Sequence, residues 1–273
     1  MEKIVPHFLA LYRDPREAPL RPHILTGLNT VLESILTSVT SSTPDAERPL
    51  VPYKDDILAT FLSGLNQPVT LQTSVDGLQC LVQIKKLLSV EELSFVVHNV
   101  SEHLLSSEGR VLVLLNTITD ISPTPVEELA LPVLIEQLPD QPPPRDDMKA
   151  QARITNALAA LRTICVHPVL FERLVIRLSA KIDLIVKTAG TEDMVSAYVH
   201  IILGTLSGLL GEKLEKGHGD VGKYVERLVP SLYYLFLRGT GEDENMDQVI
   251  LDVKVVDGAA EIISLVVSAL QAE

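Results

Sequence analysis

Apolar residues recur at helical spacing along almost the whole chain, and no stretch alternates apolar and polar residues as a half-buried strand would. Turn signals divide this pattern into about twelve segments that fall into pairs. The expected helices are 2–12 with 22–41, 53–65 with 69–88, and 90–106 with 109–121. They continue as 125–138 with 147–165, 168–188 with 192–214, and 220–238 with 246–271. A chain punctuated in this way folds as helices only. Leu, Val, Ile and Ala supply its apolar content, which is 46% of residues with only 4% aromatic and no Trp. Such side chains fill the thin core between stacked helices without large rings.

The boundaries carry physical signatures. Ser89-Val90-Glu91-Glu92 and Thr124-Pro125-Val126-Glu127 read as capping boxes, with hydroxyl and carboxylate each satisfying an amide that lacks a helical partner. Gln67-Pro68 and His167-Pro168 place proline at a first helical position, where its missing N–H costs nothing. Gly190 and Gly239 are expected as left-handed helix stops. The acidic pairs Asp55-Asp56, Glu91-Glu92, Glu127-Glu128 and Asp146-Asp147 all fall at helix starts, where carboxylates complement the helix dipole.

Six hairpins in 273 residues average about 45 residues each, within the HEAT/armadillo range of roughly 40–47. Three first helices share an apolar run with an internal proline: Ile4–Leu11 around Pro6, Leu129–Ile135 around Pro132, and Leu228–Phe236 around Pro230. Turn aspartates Asp14 and Asp140 follow the first two. This pattern resembles the HEAT repeat. The expected fold is an all-α solenoid of about six HEAT-type hairpins, continuous over 1–273 as one domain, and its apolar ends suggest excision from a longer protein. The loops at 41–52, 139–146 and 239–245 are the longest, the second proline-rich with an extended bias.

Chemistry-bearing motifs are scarce. There is no GxSxG elbow, P-loop or GxGxxG. Cys80 and Cys165 stand far apart inside helical patterns, as reduced, buried apolar residues of a reducing compartment. His98 and His103 are five apart and do not stack on one helical face, and His218 lies between two glycines near Asp220. No metal, no cofactor and no enzymatic activity is expected. The formal charge of −13 argues against direct nucleic-acid or anionic-membrane partners. The run Met194–Gly211 is 18 residues without a formal charge, but its polar and glycine content fits a buried helix better than a membrane span.

Surface then has to carry the function. The acidic stretch Glu242, Asp243, Glu244 and Asp247 is a candidate contact for a basic protein partner; Lys213, Lys216, Lys223 and Arg227 form a cluster that could face it or simply be solvated. Tyr198, Tyr224, Tyr233 and Tyr234 read as core or groove lining.

Three stretches go beyond the generic repeat: Ile4–Tyr12, Ala160–Asp183, and Lys213–Phe236 with its His218-Gly219-Asp220 and Leu228–Phe236. Together they resemble the central HEAT region of the large scaffold subunit of the cytosolic iron–sulfur assembly targeting complex. That family was first named for methyl methanesulfonate sensitivity and is linked to DNA repair and transcription; a fungal form is the expectation. The resemblance implies a non-catalytic adaptor, cytoplasmic and nuclear, that binds a β-propeller partner, a small hub protein and client apoproteins. The alternative is another HEAT scaffold, such as a nuclear transport receptor or a phosphatase/kinase-complex scaffold.

Overall fold

The computed structural model describes residues 3–40, 48–84, 87–105, 109–187, 192–240 and 252–271. Among these the fold is all-α, with twelve α-helices and no strand. The chain divides into two compact units, Met1–Ala130 and Leu131–Glu273.

In the first unit, α1 (Ile4–Arg13) packs on α2 (Arg21–Thr40), and α3 (Lys54–Gly64) packs on α4 (Pro68–Gln83). The last hairpin is α5 (Val90–Ser101) with α6 (Arg110–Ile121), and a π turn, Val126–Ala130, closes against α5. The second members also meet one another, α2 on α4 and α4 on α6, while α1 touches α3. Two layers result, and Leu25, Leu28, Phe61, Leu78, Leu81 and Leu114 fill the space between them without solvent exposure. Ion pairs run along each layer. Arg13 of α1 meets Asp56 of α3, Lys54 of α3 lies 2.7 Å from Glu92 of α5, and Arg110 of α6 lies 2.6 Å from Asp76 of α4.

The second unit repeats the scheme. Here α7 (Leu131–Glu136) packs on α8 (Met148–Ile164), and α9 (Pro168–Lys187) packs on α10 (Glu192–Glu215). The final pair is α11 (Val225–Thr240) with α12 (Val253–Gln271). Again the second members stack, α8 on α10 and α10 on α12, and α9 touches α11. Helix α10 is therefore enclosed on several sides, with Val199, Ile202, Leu203, Leu206, Leu209 and Leu210 wholly buried. By length and composition alone it could cross a membrane, yet 61% of that span is buried within the fold, as a core helix should be.

Most start signals hold. Ser89 forms a complete capping box, its hydroxyl accepting from the Glu92 amide at 3.3 Å while Glu92 accepts from the Ser89 amide at 2.6 Å. Removing the hydroxyl by Ser89→Ala is expected to cost about 1 kcal/mol, read as a lower urea midpoint with an unchanged m-value. Pro68 and Pro168 open α4 and α9 as anticipated. Asp14 accepts from the Arg16 amide at 2.9 Å and so caps the short turn after α1, whereas Asp140 pairs with Lys181.

Three expectations need correction. The amide of Glu127 bonds to the Pro123 carbonyl at 2.9 Å, so the cap position falls on Pro123 rather than Thr124. Gly239 lies inside α11 and does not end it, and Gly190 is outside the described residues. The left-handed stop is at Gly217 (φ 69°), where the His218 amide reaches the Lys213 carbonyl at 2.9 Å and the Gly217 amide reaches Leu214 at 3.0 Å. The three prolines also differ in effect. Pro6 sits in the first turn of α1, where no bond is lost; Pro132 follows the π turn; only Pro230 lies well inside its helix.

Candidate partner-binding surface

The residues with the most reactive chemistry are packed away or used locally. Cys80 and Cys165 are free and buried. Burial pushes the Cys80 thiol up to about 11, helped by Glu33 and Asp76, and pushes Cys165 higher still. Thiolate, the form that ligates and attacks, is thereby disfavoured at both. Among the described residues no three His, Cys, Asp or Glu side chains gather as a metal site. The acidic pairs serve helix starts: Asp55 and Asp56 open α3, and Asp147 accepts from the Ala150 amide at 3.0 Å.

The Lys213 cluster is not a surface patch. Lys216, Lys223 and Arg227 are exposed, but Lys213 is wholly buried at the end of α10. Its ammonium donates to the Val166 carbonyl at 3.0 Å, lies 2.9 Å from Asp220 Oδ1 and sits 4.9 Å from the centre of the Phe171 ring. The Asp220 contact lacks hydrogen-bond alignment, so Oδ1 is held by charge rather than by a directed bond. Tyr224 donates to Asp220 Oδ2 at 3.3 Å and packs edge-on against Phe171 at 4.9 Å. Burial first, then Asp220, raises the Tyr224 phenol, which stays a donor. The α8–α9 turn, α9, α10 and the loop before α11 thus meet at one cation. The sequence held a signal for this: Lys213 continues the buried stripe Ile202, Leu206, Leu209 at helical spacing.

Among the described residues of the second unit, a cleft of about 190 Å³ lies between the N-terminal halves of α8 and α10 and the proline-rich link. Ile154, Met194, Ala197, Tyr198, Ile201 and Pro143 give it an apolar lining, with Arg145, Gln151 and Thr155 at the edge. The link is ordered by its neighbours. Lys181 donates to the Leu138 carbonyl at 2.8 Å, Tyr198 to the Pro139 carbonyl at 2.9 Å, and the Gln151 amide to the Arg145 carbonyl at 3.0 Å. Burial, then Asp140, raises the Tyr198 phenol, so its donor role persists.

Sequence reasoning placed Tyr198 and Tyr224 in core or groove, and both are buried, whereas Tyr233 is exposed and the Tyr234 side chain is outside the described residues. The acidic candidates Glu242, Asp243, Glu244 and Asp247 also lie outside the described residues. The cleft went unrecognised because its walls come from three segments that no single periodicity brings together.

These features define an all-α protein of two units, each with its own packed helical hairpins, the second carrying an apolar surface cleft. Within that class, residues 157–273 match the family model of the MMS19 C-terminal domain, described as RNAPII transcription regulator C-terminal. No curated protein matches the chain.

Proposed function

We propose that this chain is a non-catalytic protein-interaction scaffold whose hairpins are HEAT-type repeats, and that it works as an adaptor for iron–sulfur cluster delivery. Its clients are cytosolic and nuclear apoproteins, including DNA repair and replication enzymes; its constitutive partners are a β-propeller and a small hub protein. The observation that carries this reading is the family match over residues 157–273. It spans two of the three stretches on which the resemblance rests, Ala160–Asp183 and Lys213–Phe236, and its description names a transcription regulator; the matched model is a C-terminal domain, where the resemblance pointed to a central HEAT region. Serial packing within each unit supports the repeat assignment, because each hairpin buries its apolar face on the next. Buried, protonated cysteines fit a protein that presents clients without holding a cluster itself.

Affinity capture of the protein, followed by identification of partners, tests the reading. Cluster-assembly subunits and client apoproteins should be recovered together, and the purified chain should show no iron-dependent absorbance. Recovery of transport cargo or phosphatase subunits in their place would overturn it.

A further inference from the structure

We propose that the proline-rich link is a preformed polyproline II ligand, and that its partner is a protein module with an aromatic-lined, proline-binding groove. The inference stands apart from the iron–sulfur reading, because no assembly subunit or client enters it.

The backbone of the link is dictated locally. Pro142, Pro143 and Pro144 are consecutive, and each ring fixes its own φ near about −65°. Each also crowds the residue before it out of the helical region, which confines Gln141, Pro142 and Pro143 to extended or polyproline II geometry. In the fold, residues 142–144 belong to no helix, strand or turn, and a turn begins only at Arg145. Both ends are held. Lys181 donates to the Leu138 carbonyl and Tyr198 to the Pro139 carbonyl. Beyond the prolines, the Pro144 carbonyl accepts from the Asp147 amide at 3.1 Å and from the Gln151 side chain at 3.3 Å.

Ring placement follows from the same geometry. Polyproline II has about three residues per turn, so successive rings point about 120° apart. Pro143 faces inward and lines the cleft. Pro142 is half-buried, Pro144 is exposed, and neither lines the cleft. Anchoring does not account for these two rings, because the link is held through its carbonyls while Pro143 supplies the inward packing. Two edges of the turn are thus left for a partner.

The chemistry of the run selects that partner. Three prolines offer no amide hydrogen, so a sheet edge cannot pair with them, and they cannot form the helix that an apolar groove would take. What they present is flat apolar rings and carbonyl oxygens. Aromatic faces complement the rings, and Tyr or Trp donors complement the carbonyls, as in the grooves of proline-recognition modules. Since the link is already ordered, binding costs little chain entropy.

The chain has no Trp, so tryptophan fluorescence of an added module reports that module alone. Purified SH3, WW and EVH1 domains with a Trp in the groove form the probe panel, each titrated with the purified chain. At least one should show a saturable shift. A synthetic peptide of residues 137–147 should compete for it, but bind at least ~5-fold more weakly than the chain, because it must be ordered on binding. Pro142→Ala combined with Pro144→Ala should weaken binding at least ~10-fold. Gln151→Ala keeps all three rings but releases the Pro144 and Arg145 carbonyls, and should bring the chain down towards the affinity of the peptide. It stands in if the double variant does not fold. No shift with any domain, a chain that binds no more tightly than its peptide, or variants that bind like the parent overturn the proposal. Failure of the iron–sulfur reading would appear separately, as loss of the assembly subunits from the affinity capture.

Discussion

Lys213→Ala is expected to destabilise the chain by about 3–5 kcal/mol, the range for removing one partner of a buried ion pair. Lys213 has no solvent exposure, and Asp220 is only 9% exposed. Truncation leaves the Asp220 carboxylate buried with the Tyr224 hydroxyl as its remaining partner. It also strands the Val166 carbonyl and strips the Phe171 ring of its cation. Arg110→Ala is the control. Its pair with Asp76 has side chains 52% and 39% exposed, and such surface pairs contribute about 0–1 kcal/mol. Urea unfolding of both variants beside the parent chain should show the contrast. A second comparison isolates the charge: Lys213→Met combined with Asp220→Asn removes both ions while keeping most of the volume, and should recover a large part of the loss. If Lys213→Ala costs no more than Arg110→Ala, the ammonium is not the hub that its contacts indicate.

The same residue shows where sequence reading stops. Helix positions were legible because each is written locally. Ser89 and Glu92 cap α5 from three residues apart, and Pro68 and Pro168 mark first turns by their own chemistry. Pairing was legible too, since hairpins recur at a near-constant interval. Errors arose where a neighbour altered a local rule: Pro123 moved the cap away from Thr124, and Gly217, not Gly239, met the backbone demand for a left-handed stop. The site was mostly illegible. A lysine near other lysines reads as surface charge, and only the buried stripe ending at Lys213, together with an aspartate seven residues on, distinguishes it. The cleft depends on Pro143, Ile154 and Ile201, which lie on three segments, so no window of sequence contains it.

Gly77→Ala reverses the ordinary sign of a glycine-to-alanine change. Gly77 is in α4, where alanine is intrinsically favoured by about 1 kcal/mol, so at an open site the change would stabilise. Here a Cβ would lie 2.2 Å from the Phe61 ring. Phe61 is fully buried in the α3–α4 contact, and a ring in a close-packed interior has no void to retreat into. Overpacking of this kind costs about 1–3 kcal/mol beyond any propensity gain, so a lowered urea midpoint is expected. The remedy should lie in the ring itself. Phe61→Leu alone loses packing, but in the double variant the added methyl occupies part of the space the ring vacates. The two changes together should therefore cost less than the sum of the two alone, with a coupling of about 1 kcal/mol or more. Strict additivity, or a Gly77→Ala chain more stable than the parent, would mean that the ring yields freely and that α3 and α4 are held at their distance by something other than this glycine.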